Sequence, residues 1–235
     1  MKLILRPNKV VGYLGTIILM LIIMDSLGLI SRFYLNHDYV FGLVPLFDLD
    51  REQNIPTFFS SMLLLLSACL LYIITEARKK KNEGDYKYWA GLAAVFLFLS
   101  VDEAASIHEL LIDPIRATLH TSGVLYISWV IPYAIILLVL TLLYAKFVFL
   151  RIPRRIRNQF IISGIIYVTG ALGFELIGGH LFEMHLQESL LYEIITIFEE
   201  SLEMTGLLVF IHALMLYIRS HLRSLSIVIE ESSTD

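Results

Sequence analysis

Six apolar stretches decide what this chain can fold into, each near or above the ~18–20 residues that a helix needs to cross a bilayer. They cover about 10–30, 56–75, 88–111, 124–145, 160–182 and 190–218. Backbone in hydrocarbon must satisfy its own hydrogen bonds, so each stretch is expected to be a helix. The expected fold is therefore all-α, a polytopic bundle of six transmembrane helices forming one transmembrane domain. Composition agrees, because only 17% of the 235 residues are charged, against about a quarter in soluble domains. The single cysteine, Cys69, leaves no intrachain disulfide and no cysteine-based metal site.

Charge then sets the expected orientation. Lys2, Arg6 and Lys9 precede the first stretch, which Asp25 interrupts and which carries no small-residue cleavage site. It reads as a retained span, not a signal peptide. Fifteen of the 18 Lys and Arg residues fall in the N-terminus, the linkers at 78–87 and 146–157, and the tail. Arg32, Arg51 and Arg116 alone fall on the other side. With six spans, the positive-inside rule puts both termini in the cytoplasm, with the protein in the inner or cytoplasmic membrane. Residues 35–55, with Asp38, Asp48, Asp50 and Glu52, are too polar for a span. Asp113, Pro114 and Arg116 mark a short loop, and Pro56 suits the first turn of the second span.

Against this frame the buried acids stand out. At about 1.5 Å per residue, Asp25, Asp102, Glu103, Glu175 and Glu203 come out about 21–24 Å from the cytoplasmic ends, with Glu200 near 28 Å. His108, Glu109 and His180 come out near 30 Å. Four spans thus place carboxylates in one layer, while spans two and four hold none and are expected to face lipid. Successive residues turn by about 100°, so Asp102, Ser106 and Glu109 should share a stripe of the third helix. Glu193, Glu200 and Glu203 should share one on the sixth, with Glu199 at its margin. An ionised side chain at a helix centre costs about 2.5–3.5 kcal/mol on insertion scales, and no Lys or Arg is expected at that depth. Spans 1, 3, 5 and 6 should therefore surround a polar centre. His212 reads as a packing residue, and His37, His120, His185 and His221 as solvated or interfacial.

Two helices repeat one spacing, Glu103-x4-His108 and Glu175-x4-His180, and the sixth adds Glu199, Glu200 and Glu203. Mixed carboxylates and imidazoles suit Fe, Mn or Zn better than Mg or Ca. Glu103, His108, Glu109, Glu175, His180, Glu199 and Glu203 are the candidate metal ligands, Asp102 and Glu200 the candidate catalytic acids, and Asp25 a secondary member. The layout resembles that of the di-iron carboxylate bundles. Those use Glu-x-x-His on one face, whereas five residues of helix turn the two side chains about 140° apart. Gly178-Gly179 offers a place to bring His180 round; Ala104-Ala105 offers none for His108.

The leading functional expectation is a membrane-embedded metal enzyme, an oxidoreductase or hydrolase, acting on a lipid-like or quinone-like amphiphile. The apolar run Ala90–Leu99 would close the site from the cytoplasmic side. The alternative is a divalent-cation or proton-coupled transporter or channel, with spans 1–3 and 4–6 as inverted repeats that match Asp102-Glu103 to Glu199-Glu200. The expected partners are the bilayer, an amphiphile or cation, and a second copy in a homo-oligomer. No lysine lies inside a span to carry a retinal, no glycine-rich phosphate loop is present, and topology accounts for the basic residues without nucleic acid. A haem on His108 and His180 leaves the acids unexplained. Ser106 beside Asp102 and His108 lacks a nucleophile elbow.

Overall fold

The computed structural model describes residues 6–222; Lys2, Arg223 and the acidic tail lie outside them. Nine α-helices follow one another among the described residues, with no strand. They are α1 (Pro7–Leu35), α2 (Leu43–Phe47), α3 (Ile55–Lys80), α4 (Tyr86–Ala105), α5 (Ile112–Leu119), α6 (Val130–Arg151), α7 (Arg154–Val168), α8 (Glu175–Glu183) and α9 (Leu190–His221). A π-helical turn, Thr169–Phe174, joins α7 to α8. Six helices are long and apolar enough to cross a membrane: α1, α3, α4, α6, the continuous 154–183 segment and α9. The chain is an all-helical integral membrane protein. One end of the bundle is basic, carrying Arg78, Lys79, Lys80 and Arg151, and the other is acidic.

The ends of the helices follow local chemistry. Pro7 and Pro56 occupy first turns, where a missing N–H leaves nothing unsatisfied. Asn54 caps α3 by accepting from Thr57 N–H at 3.2 Å, and Ser189 caps α9 by accepting from Tyr192 N–H at 3.2 Å. α4 stops at Ala105, short of the expected Leu111, because Ser106 takes the left-handed conformation (φ 50°). The chain then passes through a 3₁₀ turn, His108–Leu111, into α5, where the sequence suggested a loop.

The core overturns one expectation. α3, which has no mid-span acid, was expected against lipid, yet 56% of its most apolar window is buried, against 6% for α6. A stripe of Ser60, Ser61, Ser67 and Ala68 lets α3 approach its neighbours closely. Ser61 Oγ donates to the Ser100 carbonyl at 2.8 Å, and Ser100 Oγ donates back to the Ser61 carbonyl at 2.9 Å. In lipid there is no hydrophobic gain from burying one apolar helix against another. Close van der Waals contact and such hydrogen bonds hold the pair instead. α9 runs through the middle, with Met204, Ile211, Ala213 and Leu214 fully enclosed. α6 does face outward, as expected. Aromatic contacts fasten it near both ends: Trp129 and Tyr133 pack on His108 at the acidic end, and Tyr144 and Phe147 pack on Tyr88 at the basic end.

Two glycines set the distance between the 154–183 segment and α9. A Cβ on Gly206 would lie 2.8 Å from the Tyr167 backbone nitrogen, and one on Gly170 would lie 2.7 Å from the Glu199 carbonyl oxygen. No side chain fits at either contact, so the π turn can press directly against the acidic part of α9.

Candidate functional site

The break at Ser106 builds the first part of the site. A continuous helix would have turned His108 away from Asp102 and Glu103. Once the helix ends, His108 folds back, and its backbone N–H donates to Asp102 Oδ1 at 2.8 Å while Nδ1 lies 3.3 Å from the same oxygen. Tyr133 donates its hydroxyl to Asp102 Oδ2 at 2.8 Å. Both oxygens of the buried Asp102 are thus engaged in holding His108 and Tyr133. The expected stripe of Asp102, Ser106 and Glu109 does not form, because Ser106 and Glu109 lie beyond the helix.

The second part comes from the loop before α3. Thr57 Oγ1 donates to the Arg51 carbonyl at 3.1 Å, and the Asn54 side-chain amide donates to the Asp48 carbonyl. These bonds fold residues 48–54 over the acidic end and carry Glu52 to His108. Glu52, His108 and Glu109 each bring one potential ligand atom within 4.8 Å of the other two. With Nδ1 held by Asp102, the His108 imidazole keeps Nε2 for a ligand, the arrangement that orients histidines in metal sites. Glu52 Oε2 and Ser106 Oγ are buried without a hydrogen-bond partner among the described residues.

Behind this group lies a cavity of about 1240 Å³. Glu103, Glu175, Glu199, Glu200 and Glu203 line it, together with Tyr167 and Trp129. Glu103 lies within the electrostatic reach of Glu52, His108 and Asp102. Glu200 has Glu203, Glu103, Glu52 and Glu175 as its charged neighbours. The side chains of Glu175 and Glu199 meet, and Trp129 Nε1–H donates to Glu175 Oε1 at 2.8 Å. The π turn beside Gly170 swings Glu175 into this position; single π turns recur at functional sites because they re-aim one residue. Glu199, read from the helical wheel as marginal, is therefore central.

Three groups outside the spans report the electrostatics. Burial disfavours the His108 imidazolium, but the Asp102 hydrogen bond, with the charges of Asp102, Glu103 and Glu52, outweighs it and raises its pKa. Burial raises Glu52 above the usual carboxyl range; His108 opposes this and Glu109 adds to it. Asp50 opens onto the cavity, yet the protein around it removes enough solvent, with Asp48 adding repulsion, to raise its pKa to about 6.

Two of the expected members stand elsewhere. His180 is exposed on α8 and does not line the cavity. Asp25 sits in a separate cluster, where its Oδ1 accepts from the Leu49 backbone N–H at 3.0 Å. Glu193 also belongs there, paired with Arg32. Arg32, read from the sequence as an outer-face residue, is thus the cation that Glu193 pairs with. Sequence reasoning passed over Glu52, Asp50, Trp129 and Tyr133. The alternation Asp48, Asp50, Glu52 directly before a proline-started helix was the available signal.

No curated protein and no solved structure matches the chain. The family model described as "Domain of unknown function (DUF8692)" matches residues 14–218, from α1 through α9 and across every residue of the site, and the chain belongs to that family.

Proposed function

We propose that Glu52, His108 and Glu109 hold a transition-metal ion, Fe, Mn or Zn, and that the protein is a membrane-embedded metal-dependent enzyme acting on an amphiphile. The observation that carries this reading is the convergence of three ligand atoms within 4.8 Å around an imidazole already oriented by Asp102. One imidazole and two carboxylates form a donor set suited to these metals. Glu103 lines the same cavity but lies outside this three-residue group, so water or substrate would fill the rest of the shell. When bound, the metal would polarise a substrate oxygen or activate a water. Glu200, one layer deeper, would take up the proton that such a step releases. Asp102, both of whose oxygens are occupied, would act as a positioning residue. By the positive-inside rule the acidic end would face away from the cytoplasm.

Metal analysis of protein purified without chelator tests this. Stoichiometric Fe, Mn or Zn is expected, lost in Glu52→Ala and His108→Ala and retained in His180→Ala. A second reading draws on the five glutamates behind the metal group, which have no cation among them: they could relay protons or bind a transported cation. Metal-free protein that moves protons or divalent cations across liposomes, and stops doing so as Glu200→Gln, would establish transport and sink the enzyme.

A further inference from the structure

The cavity has two unlike ends. At the acidic end seven glutamates line it, five of them behind the group of Glu52, His108 and Glu109, and Arg116 is the one Lys or Arg among its described lining residues. Arg116 is already paired with Asp113 and stacked on Tyr126, 4.3 Å from the ring centroid. From there the cavity runs toward the basic end between α4, α6 and α7, past Leu99, Leu137, Leu140 and Gly164 to Phe149 and Phe160. Phe210 backs this limb, with ring centroids 4.7 Å from Phe96 and 4.9 Å from Phe160. A helical path from Glu175 back to Phe160 rises roughly 22 Å, more than the ~15 Å of hydrocarbon in one leaflet. The limb exists because α6 is fastened by its aromatic ends and stands away from the bundle between them. At Gly164 a Cβ would meet nothing within 4 Å.

We infer that this limb holds the hydrocarbon tail of a long-chain amphiphile drawn from the bilayer, whose head is a hydroxyl or an amine seated among the glutamates. The inference rests on the cavity being the enzyme's substrate chamber and names the class of substrate. Water gains nothing along an apolar wall of this length, whereas an alkyl or isoprenoid chain fits it. Five carboxyl groups packed this closely share protons, and those that stay ionised only accept hydrogen bonds, so a head that donates is the one matched to them. Seated among the five inner glutamates, behind the group of Glu52, His108 and Glu109, a phosphate or carboxylate head would face acids, and the one arginine of the described lining is already paired.

The test uses the whole protein in phosphatidylcholine nanodiscs, titrated with labelled oleyl alcohol, oleylamine and oleate, which share one chain and differ in the head. The alcohol and the amine are expected to bind, and oleate about tenfold more weakly or worse. Gly164→Trp, which fills the limb from α7 without touching an acid, should weaken the alcohol and the amine about tenfold, the equivalent of about two buried methylenes. Ala94→Trp repeats the plug from α4 should Gly164→Trp not fold. Metal content should be unchanged in both. Equal or tighter binding of oleate, or unchanged binding in the folded plug variants, overturns the inference. If metal is present and the plugs have no effect, the tail site falls and the metal centre stands. If metal is absent and the plugs block binding, the enzyme falls and the amphiphile site stands.

Discussion

Two acidic clusters share the acidic end of this bundle, and they are built on opposite plans. In the cluster of Asp25, Asp48 and Glu193, each acid has a local partner: the Leu49 backbone N–H for Asp25, Arg51 at 3.1 Å for Asp48, and Arg32 for Glu193. In the cluster behind Glu52 and His108, five glutamates gather with Tyr167 and Trp129, and among the described residues no lysine or arginine lies between them. The first cluster ties α1, the loop before α3 and α9 together. The second faces open space. An acid that is tied off contributes to folding; acids left facing a cavity without a cation partner are poised for a ligand or a proton.

Substitutions can break this comparison or sharpen it. The largest effect is expected for His108→Ala, which should lower metal affinity by more than about 100-fold by removing the oriented imidazole, as read by metal analysis after dialysis. Asp102→Asn keeps the shape but weakens the hold on His108, and should cost about 10–100-fold in the same assay. Next comes Arg32→Met, which strands the buried Glu193. Because the Arg32 side chain is 30% exposed and Glu193 only 4%, the loss should be about 2–3 kcal/mol of stability, below the full value for a wholly buried pair. Thermal unfolding in detergent reads it, and metal content should stay unchanged. Glu203→Gln should shift stability by no more than about 1 kcal/mol, since it keeps the side chain's shape and breaks no ion pair. A loss as large as that of Arg32→Met would show that the cavity acids are structural and erase the distinction.

The six helices and the acid-rich layer were legible because hydropathy and depth are properties of the sequence itself. Three features were not. The third helix ends early at Ser106, a residue with no strong bias toward the left-handed region, so nothing in the local sequence announced it. That one φ angle decides whether His108 turns back onto Asp102. The central place of α3 was readable in Ser60, Ser61, Ser67 and Ala68, but counting acids looks only for charge and misses a surface made close-fitting by small side chains. Glu52 lies in a loop, and loops carry function when a rigid scaffold positions them. Here Asn54 and Thr57 do the positioning, through hydrogen bonds that only the folded chain reveals.

The way α6 is held has a consequence for the membrane around it. A span pinned by aromatic clasps at its extremities, and scarcely packed between them, is the part of the assembly that yields first when the host bilayer thins or thickens. The width of the limb beside it is then set partly by the lipids outside. Amphiphile affinity should therefore vary, by about twofold to threefold, between nanodiscs of short-chain and long-chain phosphatidylcholine, because mismatch costs only fractions of a kcal/mol per ångström. Affinity that does not change with chain length would mean the clasps alone fix α6, and that the surrounding lipid has no grip on the chamber.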